Sequence, residues 1–247
     1  MRAPCFVGCA GWSLPRDIQD AFPQGASHLE RYAGRFGATE INSSFHRPHQ
    51  EFVWQRWAAS VPETFRFCAK LPKAITHEKR LVACEADLDA FLAQAAPLKG
   101  KLACLLVQLP PSLSFDAAIA TRFVKALRER WRGDVALEPR HASWFSAQAH
   151  ALLASHRIAR VLADPVRVPA GEAPGGWDGL VYLRLHGSPR VYYSAYEPQL
   201  IDALAHRIAM ELRAGRTVWC IFDNTASGAA AHNALALQAA LGAQAVD

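Results

Sequence analysis

The amino-acid sequence predicts an α/β fold, a single-domain (β/α)8 TIM barrel spanning residues 1–247, from three observations. Eight short apolar runs recur along the chain, with starts roughly 20 to 40 residues apart, the size of a βα unit. Most of the gaps between them carry apolar residues at helical spacing. Several runs are continuously hydrophobic rather than alternating, as strands are when a parallel sheet is covered on both faces. A doubly wound open sheet is the runner-up, because periodicity does not prove closure.

The predicted strands are, in order, "FVGCAG" from Phe6, "ATEIN" from Ala38, "FRFCAKL" from Phe65 and "LACLLVQL" from Leu102. "VALE" from Val135, "ARVLAD" from Ala159, "LVYLRLHG" from Leu180 and "VWCIFDN" from Val218 follow. Between them, segments 28–36, 49–59, 87–95, 146–156 and 227–241 read as helices. Ile119, Phe123, Leu127 and Trp131 mark one face of another helix, at intervals of four. Ile201, Leu204, Ile208 and Leu212 mark one face of the next, with Pro198 where a first helical turn tolerates proline. One gap departs from the pattern. "PVRVPAGEAPGGWDG", Pro165 to Gly179, is too rich in Pro and Gly for a good helix. It is predicted to replace the sixth helix with a loop that borders the functional face.

No apolar run approaches the ~18–20 residues of a membrane span, and the start lacks a secretory apolar region and cleavage site. A cytoplasmic protein with no membrane partner is therefore expected. The six cysteines form no CxxC pair, and most lie in or beside strand-like runs, so reduced core residues are expected rather than disulfides. The formal net charge of +5 is spread along the chain. It permits anionic partners without demanding nucleic acid. No GxxxxGK[ST] loop, GxGxxG fingerprint or GxSxG elbow occurs, so neither a nucleotide cofactor nor a serine hydrolase is predicted.

Chemistry collects at the strand ends. The second strand carries Glu40 and ends at Asn42; the third ends at Lys70, followed by Thr76 and His77. The fourth ends at Gln108, and the fifth at Glu138, Arg140 and His141, with Trp144 close behind. The sixth ends at Asp164. The seventh carries Arg184 and ends at His186 and Gly187, and the eighth ends at Asp223 and Asn224. In a barrel all of these converge on the C-terminal face, where barrel enzymes place their sites. Any one of them could cap a helix or serve a turn. The set is harder to explain structurally, since each buried ion costs several kcal/mol unless paired.

Two chemical readings compete. In the first, Lys70, Arg140 and Arg184 bind a small anionic or polyhydroxylated molecule, since arginine offers a planar fork for carboxylate or phosphate. Glu138 and His186 then do acid–base work, assisted by His141 and Asp223. Glu40, Asn42, His77, Gln108, Trp144 and Asn224 complete the binding surface. In the second, Glu138, Asp164, His186 and Asp223 ligate a divalent metal for an isomerase or phosphodiester hydrolase. The neighbouring Lys and Arg argue against it, because they compete for the same carboxylates. A non-catalytic binder of a metabolite or nucleic acid is the alternative from another class, the second of these marked by steep salt dependence.

The motifs "GCAGWS", "FGATEINSSFHRP", "FRFCAKLPKAITHEKRL", "LLVQLPPS", "ALEPRHASW", "RLHG" and "FDNTASGAAAHNA" resemble the domain of unknown function 72 family, also called YecE-like. The resemblance runs nearly end to end. It implies a TIM-barrel fold and supplies no reaction. Its pattern carries over to Glu40, Asn42, Lys70, Thr76, His77, Gln108, Glu138, Arg140, His141, Trp144, Arg184, His186, Gly187, Asp223 and Asn224. His46 stands where that pattern has Tyr after Phe, so a role specific to the phenol is not carried over.

Overall fold

Strands and helices alternate along most of the chain in a computed structural model that describes residues 3–244. The order is β1 (Cys5–Cys9), α1 (His28–Ala33), β2 (Ala38–Ile41), α2 (Ser43–His46), α3 (Glu51–Ala59), β3 (Arg66–Lys70), α4 (Glu85–Ala95), β4 (Leu102–Gln108) and α5 (Ala117–Arg130). Then come β5 (Asp134–Glu138), α6 (Ala147–Ser155), β6 (Ala159–Arg160), β7 (Leu162–Asp164), β8 (Gly175–Gly176), β9 (Leu180–Leu185), α7 (Pro198–Arg213), β10 (Thr217–Phe222) and α8 (Ala229–Gln244). Helix starts follow local chemistry. Ser27, Asp116 and Ser146 cap α1, α5 and α6 by accepting from backbone N–H groups of the first turn.

This is a mixed α/β single-domain fold with parallel sheets. One sheet has the order β1-β10-β9-β7, the other β2-β3-β4-β5-β6-β8. Every pairing is parallel except that of β8 on β6. The predicted sixth strand is divided. Residues 159–160 pair with β5, residues 162–164 pair with β9, and Val161 between them still donates its N–H to Leu137 O at 2.9 Å. Segment 165–179 holds no α-helix. Its only regular pieces are a single helical turn at Pro169–Gly171 and the two-residue β8, an antiparallel pairing that the sequence pattern does not announce. The short helix α2 and a helical turn at Ala74–Glu78 are further elements the periodicity did not reveal, being too short to carry a period.

Where the first strands of the two sheets meet, side chains take over from the backbone ladder. The bridge Ala10–Glu40 is isolated, with Gly11 N donating to Glu40 O at 2.8 Å. Just before it, Cys9 N donates to the Tyr32 hydroxyl at 2.8 Å, and that hydroxyl donates to Ala38 O at 2.9 Å. Thr39 Oγ1 sits 3.0 Å from both Cys9 O and Gly11 O. Gly8 makes room for the phenol, because a Cβ there would lie 2.1 Å from Ala38 O and 2.8 Å from the Tyr32 oxygen. Tyr32→Phe would leave a buried donor and a buried acceptor without partners. We expect it to cost about 2–4 kcal/mol, at ~1–3 kcal/mol for each orphaned group, read from the urea midpoint of unfolding.

Strand side chains alternate between two environments. One set, including Phe67, Ala69, Leu105, Leu137, Leu183 and Phe222, packs in the large core with the helices. The other set forms a second cluster on the opposite side of the strands, with Ala38, Cys68, Leu106, Ala136, Tyr182 and Ile221 among its members. Among the cysteines, only Cys5 is exposed; all six are free thiols. No described helix is long and apolar enough to cross a membrane.

Candidate functional site

Following each strand of that second cluster toward its C-terminal end leads from apolar to charged residues. Two positions beyond Ala38 is Glu40, beyond Cys68 is Lys70, and beyond Leu106 is Gln108. Two beyond Ala136 is Glu138, beyond Tyr182 is Arg184, and beyond Ile221 is Asp223. A period of two places these six side chains on the same side as the apolar ones below them. Arg140 and His186 continue two of the strands by the same step. Alternation and parallel register thus bring together Glu40, Lys70, Gln108, Glu138, Arg140, Arg184, His186 and Asp223 of the strand-end residues named from the sequence.

Arg184, on β9, is the centre of the cluster and 1 % exposed. Its Nη2 donates to Glu40 Oε1 at 2.8 Å and lies 3.0 Å from Asp223 Oδ2. Its Nε also donates to Glu40, and its Nη1 donates to Glu138 Oε2 at 3.0 Å. One guanidinium therefore neutralises carboxylates from β2, β5 and the end of β10. Glu40, fully buried, takes a further hydrogen bond from the Tyr182 hydroxyl at 2.7 Å. Glu138 accepts from Gln108 Nε2 at 3.1 Å and from Arg140 Nε at 3.1 Å. His186 bridges two of the acids, with Nδ1 2.9 Å from Asp223 Oδ2 and Nε2 3.3 Å from Glu138 Oε1. Asn42 reaches Asp223 Oδ1 at 3.5 Å.

The electrostatics follow from these contacts. Burial alone would raise the Glu138 carboxyl, but Arg184, His186 and Arg140 outweigh it and hold it well below its ordinary value. Burial likewise opposes ionisation of Asp223, and Arg184 and His186 again reverse the sign. For His186, burial disfavours the imidazolium, yet hydrogen bonds to Asp223 and Glu138 raise its pKa overall. Lys70 differs. Burial first, then repulsion from Arg184, lowers its ammonium from 10.5 to about 8 despite the acids nearby. No carboxylate pairs with it among the described residues, since Glu40, Glu138 and Asp223 are taken by Arg184, Arg140 and His186. Its Nζ instead sits 4.1 Å from the centroid of the Phe45 ring.

These shifts give a pH signature. Glu138 and Asp223 have native pKa values below 4.5 and 3.8, so their contribution to stability is present above those values and lost as pH falls through the native ones. His186 has a native value above 6.5, so its contribution is complete below pH 6.5 and lost as pH rises through the native value. We expect the urea midpoint to fall steeply below pH ~4. A midpoint unchanged down to pH ~2 would contradict the ion-pair cluster.

Several other positions expected in the site have different surroundings. Trp144 is 1 % exposed, donates its Nε1 to Leu113 O at 3.0 Å and packs on Phe115. Asn224 is buried and donates to Ser194 O and Asn233 Oδ1 at 2.9 Å. His141 caps the turn after β5, with Nδ1 2.8 Å from Ser143 Oγ. His77 lies at the mouth, its Nδ1 2.8 Å from Thr76 Oγ1 and its ring 4.9 Å from that of Phe45. Asp164 turns to the Tyr196 hydroxyl at 2.7 Å. The same hydroxyl accepts from Gly187 N at 2.8 Å, where the backbone has φ +93° and a Cβ would meet Ser194 O at 2.8 Å. That glycine lets the chain turn directly after His186. Among the described residues, no three His, Cys, Asp or Glu side chains group as a metal-ligand set.

Three contributors were not singled out from the sequence. Tyr182 stands two residues before Arg184, so strand alternation was the available signal. Asn233 holds Tyr196 and Asn224 in place from within the alanine-rich α8, where a polar residue on a buried face was the clue. Arg160 is 7 % exposed and ties down the 165–179 segment by donating to Ala170 O and Ala173 O. Part of that segment, with Pro165, Arg167 and Gly171, closes over Glu138, Arg140 and His186. The cleft between them is partly open and holds about 30 Å³, room for about two water molecules.

A cluster of buried carboxylates at the strand ends, organised by one arginine and with two further cations toward its mouth, defines the type of molecule. The chain belongs to the family described as protein of unknown function DUF72, whose model matches residues 6–247. It is similar to the UPF0759 protein YecE of Escherichia coli (strain K12), 30% identical over 105 residues. That match covers 42% of this chain and 37% of the relative. Among solved structures, it is similar to a DUF72 family protein from Enterococcus faecalis V583, with a TM-score of 0.80 and 23% identity over 96% of this chain and 95% of the other. A DUF72 family protein from Thermotoga maritima MSB8 superposes with a TM-score of 0.77 and 23% identity, covering 97% of this chain and 99% of that one. At these identities the likeness concerns the fold.

Proposed function

We propose that this protein is an enzyme acting on a small anionic, polar molecule at the C-terminal end of its strands. We also infer that the two sheets are arcs of one (β/α)8 barrel. The side-chain stitching between β1 and β2, and the division of the sixth strand between β5 and β9, support that closure. The observation that carries the functional reading is the charge distribution. Every carboxylate of the cluster is already paired, while Lys70 has no carboxylate partner and Arg140 pairs with Glu138 through its Nε alone, with the Tyr192 hydroxyl also beside its guanidinium. The remaining Arg140 nitrogens and the Lys70 ammonium are the cations left for a ligand.

The arrangement divides roles that the sequence left pooled. Arg184 is saturated by three acids, so it organises the cluster rather than touching the ligand. Glu138 is held as a firm carboxylate and orients Arg140 and His186. His186, whose pKa is raised above its ordinary value by hydrogen bonds to two acids, is the group suited to proton transfer. Asp223 fixes its Nδ1 in the manner of an orienting carboxylate.

Arg140→Ala removes a charge-assisted contact worth ~1.5–3 kcal/mol. We expect calorimetric titration with oxalate, a simple dianion, to show binding to the wild type and about tenfold or greater weakening in Arg140→Ala. Equal affinity for both would misplace the site. A stoichiometric metal found by elemental analysis, and lost in Asp223→Ala, would replace this reading with the metal-dependent isomerase or hydrolase. Affinity for an oligonucleotide that falls steeply with salt would favour the nucleic-acid binder.

A further inference from the structure

Lys70 occupies a position that simple anion binding does not require. It ends β3 on the face of the second cluster, is 8 % exposed, and rests on the Phe45 ring with no carboxylate to hold its proton. The charged groups facing it are Arg184, Glu40, Glu138 and Asp223 across the site and His77 from the following turn. A salt-bridging lysine would be expected to pair with one of those acids, yet each is committed to an arginine or to His186. A buried amine without an acidic partner, close to a second cation, is how proteins keep lysine available as a nucleophile. His77 completes the arrangement. It shares the Phe45 ring with Lys70, and its Nδ1 is engaged by Thr76, which leaves Nε2 free. Burial and the charges of Lys70 and Arg140 lower its pKa, so it is neutral and able to accept a proton.

We propose that the molecule taken by this pocket is an oxo acid, carrying an aldehyde or ketone beside its anionic group, and that Lys70 captures that carbonyl as an imine. This rests on the anion-pocket reading above. The Lys70 Nζ lone pair attacks the carbonyl carbon, forming a C–N bond while the C=O π pair moves to oxygen. His77 Nε2 takes a proton from the nitrogen and returns it to that oxygen. A second proton from the nitrogen accompanies loss of the C–O bond as water. The sum is carbonyl plus neutral Lys70 amine giving imine plus water, with no oxidant or reductant needed, and the imine nitrogen then takes one proton from solvent. Arg140 holds the anionic group of the same molecule.

The test is reductive trapping with glyoxylate, the smallest oxo acid, and cyanoborohydride at pH 7.5, with peptide mapping by mass spectrometry. The expected result is a carboxymethyl group on Lys70 formed at least about tenfold faster than on the solvent-exposed Lys73, because far more of the Lys70 amine is unprotonated. Oxalate, which has no electrophilic aldehyde, should slow the labelling of Lys70 and not that of Lys73. Lys70→Arg should abolish the product while keeping the charge. If oxalate binds and Lys70 is trapped no faster than Lys73, the imine is overturned and the anion pocket stands. If Lys70 is trapped rapidly but oxalate neither binds nor protects, the amine is confirmed as the nucleophile and the anion reading falls.

Discussion

Arg184→Met should cost about 3–5 kcal/mol of stability, enough to leave much of the protein unfolded at 37 °C. The reason is the number of acids that depend on one guanidinium. Glu40 and Glu138 are almost completely buried, Asp223 nearly so, and Arg184 contacts all three at 2.8 to 3.0 Å. Methionine matches the stem of arginine but removes every donor, which leaves three carboxylates facing one another without a central charge. Arg140 and His186 still reach Glu138 and Asp223, but Glu40 keeps only the Tyr182 hydroxyl. Adding Glu40→Gln to Arg184→Met should recover part of the loss, because it removes the acid with the fewest other partners. The urea midpoints of the wild type, both single variants and the double variant give the coupling energy directly. Additive effects would mean that the Glu40–Arg184 contact carries no stability of its own.

Lys70→Met should act in the opposite direction on stability while abolishing ligand binding. The native ammonium is held at about 8 against an ordinary 10.5, so keeping it charged at pH 7 opposes folding. That depression, which already includes the attraction of the nearby acids, corresponds to about 3 kcal/mol as an upper figure, and a gain of ~1–3 kcal/mol is expected. The sign fixes the pH dependence. The native value lies below the unfolded one, so the penalty is complete below pH 8 and relieved as pH rises toward 10.5. The advantage of Lys70→Met over the wild type should therefore shrink between those values. The same variant should lose measurable oxalate binding. Stability gained where binding is lost is the mark of a residue kept for its chemistry. A variant that is less stable than the wild type at pH 7 would make Lys70 a structural residue.

Much of this arrangement was legible in the sequence. The eight apolar runs correspond to the long strands, with the sixth divided into β6 and β7. The polar residues that end them do gather, because a step of two along a strand returns to the same face. What the pattern could not show is which partners each side chain finds. Glu40 and Arg184 are 144 residues apart, and nothing local marks Arg184 as the shared partner of three acids rather than a ligand contact. Trp144 reads as part of the binding surface, since an aromatic beside a strand end looks the same whether its indole faces a pocket or donates to Leu113 O. His141 and Asn224 follow strand ends as well, but the backbone turns there and directs them to a cap and to Asn233. The link between β1 and β2 depends on a phenol from α1 threading past Gly8, a contact that no periodicity encodes.

Native mass spectrometry reads the occupancy of the anion pocket, using wild-type protein and the Lys70→Met, Arg140→Ala double variant, each as purified and after incubation with millimolar oxalate. One small acidic molecule per wild-type chain is expected, either carried through purification or supplied as oxalate, and none on the double variant. No added mass on the wild type in oxalate, or a bound mass that persists when both cations are gone, would contradict that pocket.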